Sequence, residues 1–198
     1  MARFIHFITL LFAAYTVSLG LDNQVPLTGP IAAGESQPIA VGTRSRNLSP
    51  ELACTGKQAK FSIQNSREVV VSTLLTFQYP ARKFKYCWLE FTAPAVLKAG
   101  ADAIVGTTDS TLICNDPKNI PAVGAWTPIG VWKLSTSGGN ATWQDPSGEI
   151  LNRPMRSKCP DQPGKLQGVE IKPREGTGDY SLSWLQEGKL GVRLVFSD

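Results

Sequence analysis

The chain has 198 residues, 42% of them hydrophobic; 20 Lys and Arg against 16 Asp and Glu give a formal charge of +4, and loss of Arg3 with a cleavable leader leaves about +3. That charge is too small for a nucleic-acid-binding protein, which needs a clustered basic face. The only histidine, His6, lies in the leader, so the mature protein would hold no imidazole; a Ser-His-Asp triad, a Cys-His pair and a histidine zinc site are excluded by composition.

The first element is that leader, residues 1–20. Met1-Ala2-Arg3 precedes an apolar run from Phe4 to Val17, and Ser18-Leu19-Gly20 supplies small residues at the cleavage positions, the pattern of a secretory signal. The run is shorter than the roughly 20 apolar residues that span a bilayer, and no second apolar stretch follows. The C-terminal Leu194-Val195-Phe196-Ser197-Asp198 is too short and too polar for a lipid-anchor signal. The expected product is soluble or wall-associated, outside the cell, with no membrane span.

Residues 21–52 are rich in Pro, Gly, Ala and Ser without sustained periodicity, and read as an extended N-terminal arm or a propeptide. A single ordered domain, residues 53–198, follows. Gln58 to Ile63 is a candidate strand. From Val69 to Tyr79, Val69, Val71, Leu75, Phe77 and Tyr79 share one parity, which marks a strand with one buried face. A loop at Pro80-Ala81-Arg82-Lys83 leads to a strand from Lys85 to Thr92, with Cys87, Leu89 and Phe91 on the core side and Tyr86, Trp88, Glu90 and Thr92 opposite. Ala95 to Ala103 suggests one short helical turn. Val105 to Cys114, Ile129 to Leu134 and Ala141 to Gln144 are further candidate strands, the last flanked by the turn signals Gly138-Gly139-Asn140 and Pro146-Ser147-Gly148. Arg153 to Gly164 reads as a loop carrying Cys159. Val169 and Ile171, then Tyr180, Leu182 and Trp184, then Val192, Leu194 and Phe196 alternate on the last strands. With no amphipathic helix of three turns and no internal repeat, the fold class is all-β: an antiparallel β-sandwich, jelly-roll or Ig-like, with a closed β-barrel as the alternative.

Four cysteines remain after the leader, Cys54, Cys87, Cys114 and Cys159; an even number in an oxidising compartment predicts two disulfides, and sequence order leaves all three connectivities open. A metal site is not expected, since no Cys-x-x-Cys pair is present, and no cofactor fingerprint is found. Asn47-Leu48-Ser49 and Asn140-Ala141-Thr142 are glycosylation sequons, which place Asn47 and Asn140 at the surface if modified.

Two stretches carry a family resemblance. One is Ser72-Thr73-Leu74-Leu75-Thr76-Phe77 with Lys85-Tyr86-Cys87-Trp88-Leu89-Glu90-Phe91. The other runs from Cys159-Pro160 through Gly164, Val169-Glu170-Ile171 and Gly176-Thr177-Gly178-Asp179 to Leu182-Ser183-Trp184-Leu185-Gln186. Together they resemble the C-terminal domain of the fungal family called "ubiquitin 3 binding protein", over roughly Ala59 to Phe196; Trp126 to Asn152 is not covered. The resemblance implies a small secreted or wall-associated fungal protein. It further implies a Cys87–Cys159 bridge, leaving Cys54–Cys114 as the second, and it transfers no catalytic residue.

Two kinds of chemistry remain open to a chain without histidine. Paired carboxylates can hydrolyse glycosides, and Glu90, Asp109, Asp116, Asp145, Glu149, Glu170 and Asp179 are candidates, Glu90 first because it shares a face with Trp88. Trp88 with Tyr86 and Glu90 is also the best candidate for stacking on a sugar ring, whereas Trp126, Trp132, Trp143 and Trp184 read as core or sheet cover. The favoured expectation is a monomeric, non-enzymatic secreted interaction module. Its partners would be a cell-wall polysaccharide or an extracellular host component, with a carbohydrate-active enzyme as the alternative.

Overall fold

In the computed structural model the chain is described over residues 33–46, 49–64, 69–96, 98, 100–109, 111, 112, 114, 125–151, 156–161, 163–176, 178–187 and 190–198. The leader, residues 1–20, and Asn47 lie outside the described residues. The chain first lays down β1 (Ala33–Ser36), β2 (Ala40–Arg46) and β3 (Ser49–Cys54), then β4 (Gln58–Gln64), β5 (Val69–Gln78) and β6 (Tyr86–Ala93). β7 (Ala103–Thr108), β8 (Trp126–Lys133), β9 (Gly139–Asn140), β10 (Thr142–Gln144) and β11 (Ile150–Leu151) form the middle. β12 (Ser157–Lys158), β13 (Leu166–Pro173), β14 (Tyr180–Leu185) and β15 (Gly191–Ser197) complete it. No described residue is helical, and all strand pairs are antiparallel.

The strands make two sheets, and neither closes into a barrel. Sheet one runs β1-β15-β6-β12, with β9 added beside β6; sheet two runs β11-β10-β8-β7-β13-β5-β2-β3, with β4 and β14 branching from β5. Strict alternation fixes the registers. Leu75 lies opposite Val169, and Leu89 opposite Leu194, so each sheet turns one apolar row toward the other. The inter-sheet core holds Phe61, Leu75, Phe77, Phe91, Trp132, Val169, Ile171, Trp184 and Val192. Phe91 of sheet one is its hub, 5.0 Å from the Trp132 ring and 5.1 Å from Trp184. Burying each such side chain contributes about 1.5–3 kcal/mol, which is what holds the two layers face to face.

Three expectations are corrected. Residues 33–36, 40–46 and 49–52 of the presumed arm belong to the sheets: β2 pairs with β5 over seven residues, from Ala40 opposite Thr76 to Arg46 opposite Val70, and Val41 is buried in the main core. Of the short helical turn expected at Ala95 to Ala103, no described residue is helical, and Ala101 N–H donates to the Lys98 carbonyl before β7 begins. Only one bridge is formed: Cys54 and Cys114 are disulfide-bonded, whereas Cys87 and Cys159 are free thiols in hydrogen-bonding contact. These two lie diagonally across the β6–β12 ladder, because Ser157, not Cys159, takes the place opposite Cys87. The expected loop from Arg153 to Gly164 thereby contributes a short strand.

Candidate functional site

The two sheets do not pack completely. A partly open cavity of about 190 Å³ lies between them, lined on one side by Cys87, Leu89 and Leu194 of sheet one and on the other by Phe77, Ile129 and Val169 of sheet two. Period two explains the lining. Phe77 of β5 is opposite Gln167 of β13, and Val169 is opposite Thr107 of β7, so these side chains form a continuous inward-facing row. Trp143 enters from β10, and its ring passes so close to Gly130 that a Cβ there would meet it at 2.2 Å. Glycine at 130 is therefore what lets the indole lie across β8.

Polar groups gather at one end. Tyr79 follows β5 and hydrogen-bonds Cys87, whose thiol also contacts Cys159 and Ser157. The Ser157 hydroxyl donates to the Cys87 carbonyl at 3.1 Å, and the Gln167 amide donates to the Gly168 carbonyl at 3.0 Å. Burial pushes the Tyr79 phenol and the Cys87 and Cys159 thiols above their usual ranges, so all three stay neutral near pH 7. The cavity is thus mainly apolar and uncharged, with Tyr79, Cys87 and Ser157 at one end and Thr107 and Gln167 also on its wall. A thiol held protonated is a poor nucleophile, so the arrangement favours holding a ligand over attacking one.

Of the residues expected to bind sugar, Tyr86 and Glu90 lie away from the cavity, on the outer face of sheet one, whereas Trp88 also borders it. Trp88 is only 5% exposed, so its ring is not free to stack on a ligand. Its Nε1–H donates to Glu90 Oε1 at 2.9 Å. Glu90 in turn accepts from Arg193 at 3.3 Å, and the same guanidinium holds Glu35 at 3.0 Å. Tyr86 is half-buried and carries Arg156 over its ring at 4.6 Å. Trp88, Tyr86 and Glu90 therefore share a face, as parity predicts, but form a closed ion-pair and aromatic surface.

The other acids are scattered. Asp145 closes its own turn, accepting from Ser147 Oγ at 2.7 Å and from Glu149 N–H at 2.9 Å, and the Ser147 bond first, with the backbone bonds, holds its carboxyl below the usual range. Asp109, Glu149 and Asp179 are exposed, Glu170 is buried, and Asp116 lies outside the described residues. Asn140 is exposed on β9, its side-chain oxygen accepting from the Thr92 hydroxyl at 2.8 Å. Among the described residues no group of three metal-ligating side chains is present, and no helix is long and apolar enough to cross a membrane. Sequence reasoning missed Ser157, Gln167 and Leu194 as site residues. The shared parity of Phe77 and Tyr79 was the one available signal, since the cavity needs strands far apart in the chain. The chain matches no family model and no curated protein.

Proposed function

We propose that this protein is an exported, non-enzymatic interaction module that works outside the cell, at a cell wall or on an extracellular partner. We propose further that its binding element is the cavity between the sheets. The signal-like leader and the Cys54–Cys114 bridge support export, since disulfides persist in oxidising compartments. The observation that carries the binding reading is a mainly apolar, uncharged space of about 190 Å³ with Tyr79, Cys87 and Ser157 at one end. An apolar cavity of about 150 Å³ admits benzene, so this one suits a ring or short branched chain with one hydrogen-bonding substituent. Such a group is either a free small molecule or the apolar end of a larger one. The Glu90 environment gives little support to the two-carboxylate alternative, because its carboxylate already accepts from Trp88 and Arg193.

The test is a titration of the refolded, disulfide-bonded protein with phenol, indole and benzene, followed by amide chemical shifts. Saturable shifts confined to Phe77, Leu89, Ile129, Val169 and their neighbours are expected. Leu194→Trp, which fills the space, should abolish them. Shifts that persist unchanged in Leu194→Trp would refute the assignment.

A further inference from the structure

On the opposite surface of sheet two the chain builds a second, charged site. The residues of β2, β5 and β13 that point away from the core bring Arg44, Ser72, Glu170 and Lys172 together at a groove of about 260 Å³, with Arg46 also lining it. Glu170 is at its floor, its side chain only 4% exposed. The carboxylate accepts from Arg44 at 2.5 Å and from Ser72 Oγ at 2.7 Å, and Lys172 lies 3.4 Å from its other oxygen. Arg44 and Lys172 are themselves largely covered, with side chains 21% and 23% exposed.

Among the described residues, two covered cations share one buried anion, so this cluster holds one positive charge in excess. Lys172 has a second desolvating neighbour. Its Nζ sits 3.8 Å from the centroid of the Trp126 ring, which attracts the ammonium but carries no counter-charge. The ring can lie there because position 106 is glycine, where a Cβ would meet the indole at 2.3 Å. Arg46 adds a third cation at the rim. Its partner Glu175 is 65% exposed and Arg46 is 62% exposed, so that pair is solvent-screened and weakly held. Leaving a covered charge uncompensated is costly, and a guanidinium beside an ammonium matches the geometry of a tetrahedral oxyanion.

We infer that this groove is an oxyanion site, with Arg44 and Lys172 as the ligating cations, Arg46 as the entry residue and Glu170 as the positioning residue that holds both cations in place. The ligand chemistry is a phosphate or sulfate group, free or as an ester. The site is separate from the cavity between the sheets and stands whether or not that cavity binds anything.

The experiment is a titration of the whole, disulfide-bonded protein with inorganic phosphate and sulfate at constant ionic strength, with sodium chloride as the control and amide shifts as the readout. A saturable response at Arg44, Ser72 and Lys172 is expected, absent with chloride. Lys172→Gln should weaken it by about tenfold or more, the size of one lost charge-assisted bond, and Lys172→Arg should restore it. Arg46→Gln, at an exposed position, keeps the fold intact and should weaken binding severalfold. Glucose 6-phosphate and a sulfated sugar then distinguish an ester from the free ion: tighter binding of either assigns the site to esters, and equal binding assigns it to the free oxyanion. A response that chloride reproduces, or that survives unchanged in both Lys172→Gln and Arg46→Gln, would overturn the inference.

Discussion

Removing the single bridge measures how much of this fold depends on covalent closure. Cys54 and Cys114 are 60 residues apart in sequence, and both are exposed, so Cys54→Ser/Cys114→Ser opens no core cavity and leaves no buried hydroxyl unpaired. The change then acts mainly on the unfolded chain. For a loop of 60 residues, chain-entropy reasoning gives a loss of about 14 cal/mol/K, or about 4 kcal/mol at 25 °C. For a domain of this size that lowers Tm by roughly 8–16 °C. Urea unfolding followed by tryptophan fluorescence is the assay. The midpoint should fall and the slope m should rise, because the unbridged denatured chain exposes more surface. A loss of less than about 1 kcal/mol with m unchanged would show that the bridge does not restrict the denatured ensemble as this reasoning requires.

Tyr79, Cys87 and Cys159 all have raised pKa values in the folded state, so their neutral forms contribute stability that is fully present below the unfolded-state values and lost as pH climbs past them. Stability measured by urea unfolding should therefore decline above about pH 8.5, and Cys87→Ala/Cys159→Ala should flatten the decline between about pH 8.5 and 10. Gly130→Ala drives a methyl group into the Trp143 ring and the Gln144 carbonyl and should cost about 1–3 kcal/mol, with weaker binding of indole in the cavity that Trp143 lines. Phe91→Ala removes the ring that joins Trp132 to Trp184 and should cost about 3–5 kcal/mol in the same assay. In a glycan-degradation screen, wild type and Glu90→Gln should both show no turnover; activity that the substitution abolishes would restore the carboxylate reading.

The strands that alternate cleanly were legible, and so was the layered fold they imply. Parity along Val69 to Tyr79 and Lys85 to Thr92 assigned Cys87 and Phe91 inward, as it did Trp184 near the C-terminus, and all three are core residues. Parity fails where both faces of a strand are covered. Ala40, Val41 and Gly42 are consecutive and all buried, so β2 lacks the in-out rhythm that marks a strand, and its small residues resemble a linker. Trp88 shows the same limit from the other side. Its outward position is correct, yet its cross-strand partner Val195 is buried too, and alternation cannot separate a covered outer face from an open one. The cysteine pairing depended on register: β12 brings Ser157 opposite Cys87, a one-ladder fact invisible in spacing. The charged groove was hidden for a simpler reason, since Arg44 and Glu170 are 126 residues apart and meet only because β2 and β13 flank β5.

The position of β2 also constrains any shortening of the chain from its N-terminal side. β5 is held on one side by β13 and on the other by β2, so cutting the chain at residue 52 and shedding what lies before it would strip seven paired positions from an interior strand. The trimmed protein would present a bare row of amides and carbonyls, the template from which strand exchange and fibrillar association begin. Any N-terminal processing that yields a monodisperse product would therefore have to leave the chain from Ala40 onward in place, which makes β2 a structural part of the sandwich.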